Sequence, residues 1–254
     1  AMKTSTAQFA ADLKLLVGEC PLWDGDRQQL FVVDQAGAEM RVIEQVAGQW
    51  HETSRTEFSA RVSALIPRSC GGHVLISNQQ ILLREPNGDI STFVDIESLG
   101  EDAFLNDAKC DSRGRIWTGT LSADISSTQN GLYRILPDKT VERMMTGVSI
   151  SNGLDWGPDE RTLCYADSCA ECVYAFDYDI HCGTISNRRK FVTFSDRDGM
   201  PDGLTVNADG CLWVAMFLAS FVRRYDPAAR SWSQSPFPFQ RSPAAPSAAR
   251  ISTS

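Results

Sequence analysis

Five stretches of this chain repeat one hydrophobic pattern, a turn residue followed by a short apolar run with aromatic positions: 29–34 (QLFVVD), 72–77 (GHVLIS), 114–119 (GRIWTG), 161–166 (RTLCYA) and 210–215 (GCLWVA). Aligned at Phe31, Val74, Trp117, Cys164 and Trp213, they recur at steps of 43, 43, 47 and 49 residues. That spacing is the period of propeller blades. Each run is followed by a second strand-like one, at 40–44, 80–84, 131–135, 172–176 and 221–225, so each pair reads as a hairpin. Turn signals such as Asn87-Gly88-Asp89 and Ala208-Asp209-Gly210 stand where tight reversals are needed. Helical periodicity is confined to the leader Ala7–Lys14, which disfavours a βαβ fold. The pattern predicts an all-β β-propeller in which a sixth unit would place its strand near residue 260, whereas the chain ends at Ser254, so the last blade is expected to be incomplete. The leader 7–17 offers at most one strand to ring closure. In such a ring, loops from many blades converge on one channel.

Charge narrows the partners. With 24 basic and 32 acidic residues the net charge is −8, which argues against nucleic acid or an anionic membrane and suits a small neutral substrate or a cation. No apolar run approaches the ~20 residues of a membrane span. Of eight cysteines, Cys110, Cys164 and Cys211 sit in strand-like runs as small hydrophobes, and we expect a reducing cytoplasm and a monomer or weak homo-oligomer. Cys169 and Cys172 have a redox or zinc spacing, but without a second pair they read as a loop coincidence.

Three stretches place an acid or amide next to a strand: 18–24 (GECPLWD), 148–156 (VSISNGLDW) and 199–206 (GMPDGLTV). They supply Glu19, Asn152 and Asp202, with Asn152 and Asp202 each followed by a glycine that permits a sharp turn. Nucleophile machinery is scarce. The histidines His51, His73 and His181 lie in no motif, and neither a Gly-x-Ser-x-Gly elbow nor a phosphate-cradling loop is present. Asp107, Asp155 and Asp167 read as structural acids, and Trp23, Trp117, Trp156 and Trp213 as core between blades.

The motifs Gly-Glu-x-Pro-Leu-Trp at 18–23, Asn-Asp-x-Lys at 106–109, Ile-Ser-Asn-Gly-Leu-Asp-Trp at 150–156, Tyr-Ala-Asp-Ser at 165–168 and Pro-Asp-Gly-Leu at 201–204 resemble the senescence-marker-protein, gluconolactonase and luciferin-regenerating-enzyme family. The resemblance spans Leu15 to Arg241 and implies a six-bladed propeller with one divalent cation on its axis, held by Glu19, Asn152 and Asp202. It implies that Asn106 faces the substrate and that Asp124 meets sugar hydroxyls. Phe104 stands where aldonolactone-cleaving members usually carry arginine, so the substrate may not be copied from the family. An all-oxygen donor set suits Ca²⁺, Mg²⁺ or Mn²⁺ and tolerates Zn²⁺ or Fe²⁺. The activity implied is metal-dependent opening of a sugar lactone; the chemistry offers Asp202 to accept the proton of water, with metal-bound hydroxide as the alternative base. The rivals are hydrolysis of another ester such as an organophosphate, and a calcium-binding regulatory propeller without turnover.

The propeller domain is expected over 1–241. At residue 242 the composition turns to a Ser/Pro/Ala stretch without strand pattern. A two-nucleotide shift of reading frame can convert that stretch into one resembling the family, so 242–254 is expected to be a non-native tail.

Overall fold

The computed structural model describes residues 3–4, 7, 9–100, 102–124, 129–195 and 198–236. They contain no α-helix, so the helical reading of the leader is corrected: 9–17 runs without regular structure into the first sheet. A two-residue strand, β1 (Lys3–Thr4), precedes it.

Four strands, each antiparallel to the next, build every sheet. The first sheet is β2 (Gly18–Asp24), β3 (Gln29–Asp34), β4 (Glu39–Val46) and β5 (Gln49–Glu57). The second is β6 (Ala64–Pro67), β7 (His73–Ser77), β8 (Gln80–Arg84) and β9 (Ile90–Asp95). The third is β10 (Ala103–Cys110), β11 (Ile116–Ser122), β12 (Asn130–Ile135) and β13 (Val141–Val148). The fourth is β14 (Ser151–Trp156), β15 (Thr162–Asp167), β16 (Cys172–Asp179) and β17 (Thr184–Thr193). The fifth is β18 (Met200–Val206), β19 (Leu212–Phe217), β20 (Phe221–Tyr225) and β21 (Ser231–Pro236), with β1 pairing in parallel onto β21. The first strands β2, β6, β10, β14 and β18 pack successively against one another, which makes the molecule a β-propeller.

Two expectations are corrected here. Among the described residues there are five sheets rather than six, and the fifth has four strands of its own with β1 added at its edge. The closing strand comes from Lys3–Thr4 and not from the leader 7–17. The proposed foreign tail 242–254 lies outside the described residues.

The core lies between sheets. In β7, Leu75 packs with Phe31 and Val33 of the first sheet, while Val74 and Ile76 pack with Leu105, Ile116 and Ile135 of the third. In β11, Ile116 faces back to the second sheet and Trp117 faces forward to Leu163 and Tyr165 of the fourth. In β15, Leu163 and Tyr165 face the third sheet, and Cys164 and Ala166 face Leu212 and Val214 of the fifth. Side chains alternate at period two, and both faces are covered, so the second strand of each blade reads as a continuous apolar run. Trp117 is fully buried as expected, but Trp23 is 48% exposed and rests edge-on against Trp50.

Candidate active site

Four of the five inner strands share one irregularity. Between Glu19 and Leu22 of β2, Leu105 and Ala108 of β10, Ser151 and Leu154 of β14, and Pro201 and Leu204 of β18, the inner strand advances three residues while its partner advances two. Each is a one-residue β-bulge, a device that re-aims side chains at the rims of barrels and beside active sites. The residues that fall on them are those singled out in the sequence. Asn106, Asn152 and Asp202 are the first unpaired residues of their bulges, and Glu19 is the last paired residue before its own.

This changes the reading of the two Asx-Gly pairs. They lie inside strands, not in turns before them, and neither Gly153 nor Gly203 adopts a left-handed φ. Gly153 is needed for close approach: a Cβ there would stand 2.2 Å from the Leu204 amide nitrogen and 2.8 Å from the Asp202 carbonyl oxygen. The missing side chain lets β14 and β18 meet where they carry Asn152 and Asp202. In β2 it is Cys20 that takes the strained conformation, with φ of 46°, and the Leu65 amide donates to its Sγ at 3.2 Å.

A chain of hydrogen bonds links the bulges of β10, β14 and β18. Gln35 Nε2, just after β3, donates to Asn106 Oδ1 at 3.3 Å. Asn106 Nδ2 donates to the Ser151 carbonyl at 2.9 Å and to Asn152 Oδ1 at 3.2 Å. Asn152 Nδ2 donates to Ser168 Oγ at 2.8 Å, and Ser168 Oγ donates to the Pro201 carbonyl at 2.7 Å, beside Asp202. The network fixes the Asn152 amide with its nitrogen toward Ser168, so that its oxygen is the atom turned toward Asn106.

Acidic groups dominate the electrostatics. Burial, followed by repulsion from Asp202 and Asp107, pushes the Glu19 carboxyl up to about 8. Burial and Asp202 push Asp107 up to about 7, and burial raises Asp202 itself. The opposing charges are Arg61, whose field acts on Glu19, and Lys109, which acts on Asp107 but is ion-paired with Asp155 at 2.5 Å. Carboxylates with an amide oxygen are donors of the kind that suits a hard divalent cation. Among the described residues no group of three or more His, Cys, Asp or Glu is arranged to hold a metal ion, so Glu19, Asp107 and Asp202 do not form one by themselves.

Asp107 is the residue that sequence reasoning missed. Read as structural, it instead shares a bulge with Asn106, and its Oδ2 lies 3.9 Å from where a Gly203 Cβ would be. Its position beside Asn106 was the available signal. The other two acids are structural: Asp155 accepts from Thr205 Oγ1 and the Val206 amide, and Asp167 from the Ser149 and Ile150 amides. Phe104 is the second residue of β10, with the Arg61 guanidinium 5.3 Å from its ring centroid. Asp124 stands at the exposed rim in the turn after β11, its carbonyl accepting from Ser122 Oγ at 3.0 Å.

The raised carboxyls carry a stability consequence. In the folded chain Glu19 and Asp107 hold protons up to about pH 8 and 7. Unfolded, they release them near 4.5 and 3.8. The folded state therefore binds more protons across that window, and stability falls as pH rises through it. Urea unfolding in chelator should show stability falling between pH 5 and pH 8 by several kcal/mol, about 1.4 per pH unit for each group still protonated. Glu19→Gln should flatten the slope, and a divalent cation at pH 8 should restore the stability. A level profile in the wild type would contradict the crowding.

Comparison with known proteins agrees with the residues. The family model described as the SMP-30/Gluconolactonase/LRE-like region matches residues 17–247. The chain belongs to this family. It is 36% identical over 214 residues to regucalcin of Danio rerio, covering 83% of this chain and 71% of that one. It is 32% identical over 223 residues to YvrE of Bacillus subtilis (strain 168), named as a candidate sugar lactone lactonase, covering 87% and 75%. Among solved structures a luciferin-regenerating enzyme superposes with a TM-score of 0.82 at 28% identity, covering 89% of this chain and 78% of that one. Membership of the SMP-30/gluconolactonase/LRE-like family accords with the propeller and with the motifs that fall on the bulges.

Proposed function

We propose that this protein is a divalent-metal-dependent hydrolase that opens a sugar lactone to its aldonic acid. The observation that supports the reading is that Glu19, Asn152 and Asp202 each lie at a bulge of an inner strand, with the buried Glu19 carboxyl feeling the charge of Asp202. Support comes also from the family description and from the lactonase name carried by the Bacillus subtilis relative.

Glu19, Asn152 and Asp202 would hold the cation, which when bound supplies Lewis-acid polarisation of the lactone carbonyl and stabilises the developing oxyanion. Asp202 takes the proton from the attacking water as the water oxygen bonds to the carbonyl carbon. As the ring C–O bond breaks, that proton is passed to the departing ring oxygen, leaving a carboxylic acid and an alcohol. Asn106, its Nδ2 committed to Ser151 and Asn152, keeps its Oδ1 beside Gln35 and positions the substrate flank. Phe104 gives that flank an apolar face, and Asp124 at the rim accepts from sugar hydroxyls.

Lactone opening releases acid, so a pH-indicator assay over several aldonolactones tests the reading. Turnover should vanish in chelator and return with Ca²⁺, Mn²⁺, Mg²⁺, Zn²⁺ or Fe²⁺, whose ranking identifies the metal. Turnover indifferent to chelator removes the metal from the proposal. Cation binding without turnover on any lactone, ester or organophosphate would leave a cation-binding propeller instead. Among the described residues no helix is long and apolar enough to cross a membrane. All eight cysteines are free, which supports the proposal of a reducing cytoplasm.

A further inference from the structure

Arg61 sits in the segment between β5 and β6, and its neighbourhood is built with care. Ser77 Oγ donates to its carbonyl at 2.7 Å, and two residues on, Ser63 Oγ donates to the carbonyls of Leu105 and Asn106, each at 3.1 Å. These bonds tie residues 61–63 to the β10 bulge. The side chain leads from there to the face of Phe104, 5.3 Å from the ring centroid, and its charge acts on Glu19.

The Arg61 guanidinium, like that of Arg84 in β8, lacks partners of the kind that hold the most buried arginines. Arg41 is held by Glu39 and Glu52, Arg115 by Asp111, Tyr178 and the Ile180 carbonyl, and Arg134 by Glu142 and the Cys182 carbonyl. Arg61 makes no ion pair or side-chain hydrogen bond among the described residues, and its Nε is buried without a partner. A buried donor left unmade is costly, and the Phe104 ring, 5.3 Å away, uses none of its N–H groups. The terminal N–H groups are therefore committed to no partner among the described residues.

We infer that Arg61, seated on Phe104, is the specificity-determining cation of this site, donating to the ring and hydroxyl oxygens of a polyhydroxylated lactone. The inference rests on the lactonase reading above and adds the group that separates a sugar lactone from a bare one. The planar fork can meet two neighbouring oxygens at once, which a lysine ammonium does not reproduce. A site built to hydrogen-bond hydroxyls rejects an analogue lacking them, because its own donors are then left unpaired.

The test compares an aldonolactone with γ-butyrolactone, which has no hydroxyls, on wild type, Arg61→Met, Arg61→Lys and Phe104→Ala. Arg61→Met should raise KM for the aldonolactone about 10–100-fold more than for γ-butyrolactone, with a smaller change in kcat. Arg61→Lys should recover part of the loss. Phe104→Ala should act in the same direction, and adding it to Arg61→Met should bring little further loss, since both remove one oriented group. Calorimetric titration of the aldonate into wild type and Arg61→Met supplies a readout independent of turnover, and Arg61→Lys keeps the comparison open if Arg61→Met fails to fold. Equal losses on both lactones, or none on either, overturn the inference. If wild type hydrolyses neither lactone, the hydrolase reading fails by itself. Weaker aldonate binding by the Arg61 variant then upholds the inference, while unchanged binding, or none by wild type, overturns it.

Discussion

Asp202→Asn is expected to lower kcat by about 10²–10⁴-fold, the range of a lost general base. Asparagine keeps the size of the side chain and one oxygen, so the β18 bulge need not rearrange, while the negative charge and the proton acceptor both go. Divalent-cation affinity, read by calorimetry, should fall alongside turnover because one of two anionic donors becomes neutral. The same substitution has a second signature that does not depend on turnover. Asp202 is a source of the repulsion that raises Glu19 and Asp107, so both should return toward ordinary carboxylate values in the variant. The decline of stability between pH 5 and pH 8 should then shrink. Full turnover with cation binding retained would remove Asp202 from the base role. A loss that follows Asp107→Asn instead would transfer that role to Asp107, which feels the charge of Asp202.

The fold was legible because its physics writes a simple pattern. Leu75 faces one neighbouring sheet while Val74 and Ile76 face the other, so β7 must be apolar at consecutive positions. Ile116 with Trp117, and Leu163 with Cys164, repeat that demand about one blade period apart. The number of sheets was less legible, since counting repeats gives the step but not how many strands lie beyond the last recognisable run. For the site, the sequence pointed to Glu19, Asn106, Asn152 and Asp202 but misread how the chain presents them. An Asx-Gly pair looks the same in a turn and in a strand bulge, and only pairing across the sheet distinguishes them. Asp107 was misread because an acid that ties down backbone, as Asp155 does, and one that crowds a channel have the same neighbours in sequence. Arg61 lies 43 residues from Phe104 and belongs to no motif, so no local signal joins them. Asp124 was placed by likeness alone, and it proves to be an exposed rim residue.

Gly153→Ala should show that close approach, and not backbone freedom, is why glycine follows Asn152. Alanine is better tolerated than glycine by an ordinary strand, by roughly 0.5–1 kcal/mol. Here the added Cβ would stand 2.2 Å from the Leu204 nitrogen and 2.8 Å from both the Asp202 oxygen and the Gly203 carbonyl carbon, all backbone atoms that cannot swing aside as a side-chain tip could. β14 and β18 would have to separate, disturbing the apposition of Asn152 and Asp202 and the run of hydrogen bonds through Ser168 to Pro201. The expected cost is about 3 kcal/mol, at the upper end for overpacking, together with a drop in divalent-cation affinity. Gly100→Ala is the matched control: it too lacks a left-handed φ, a Cβ there meets nothing within 4 Å, and its stability should stay within about 0.5 kcal/mol of the parent. Denaturant unfolding of the two variants reads the stabilities, and calorimetry with the cation reads the site. If Gly153→Ala matched Gly100→Ala on both, the strands would not be in the contact that brings Asn152 to Asp202, and the proposed cation site would lose its geometric basis.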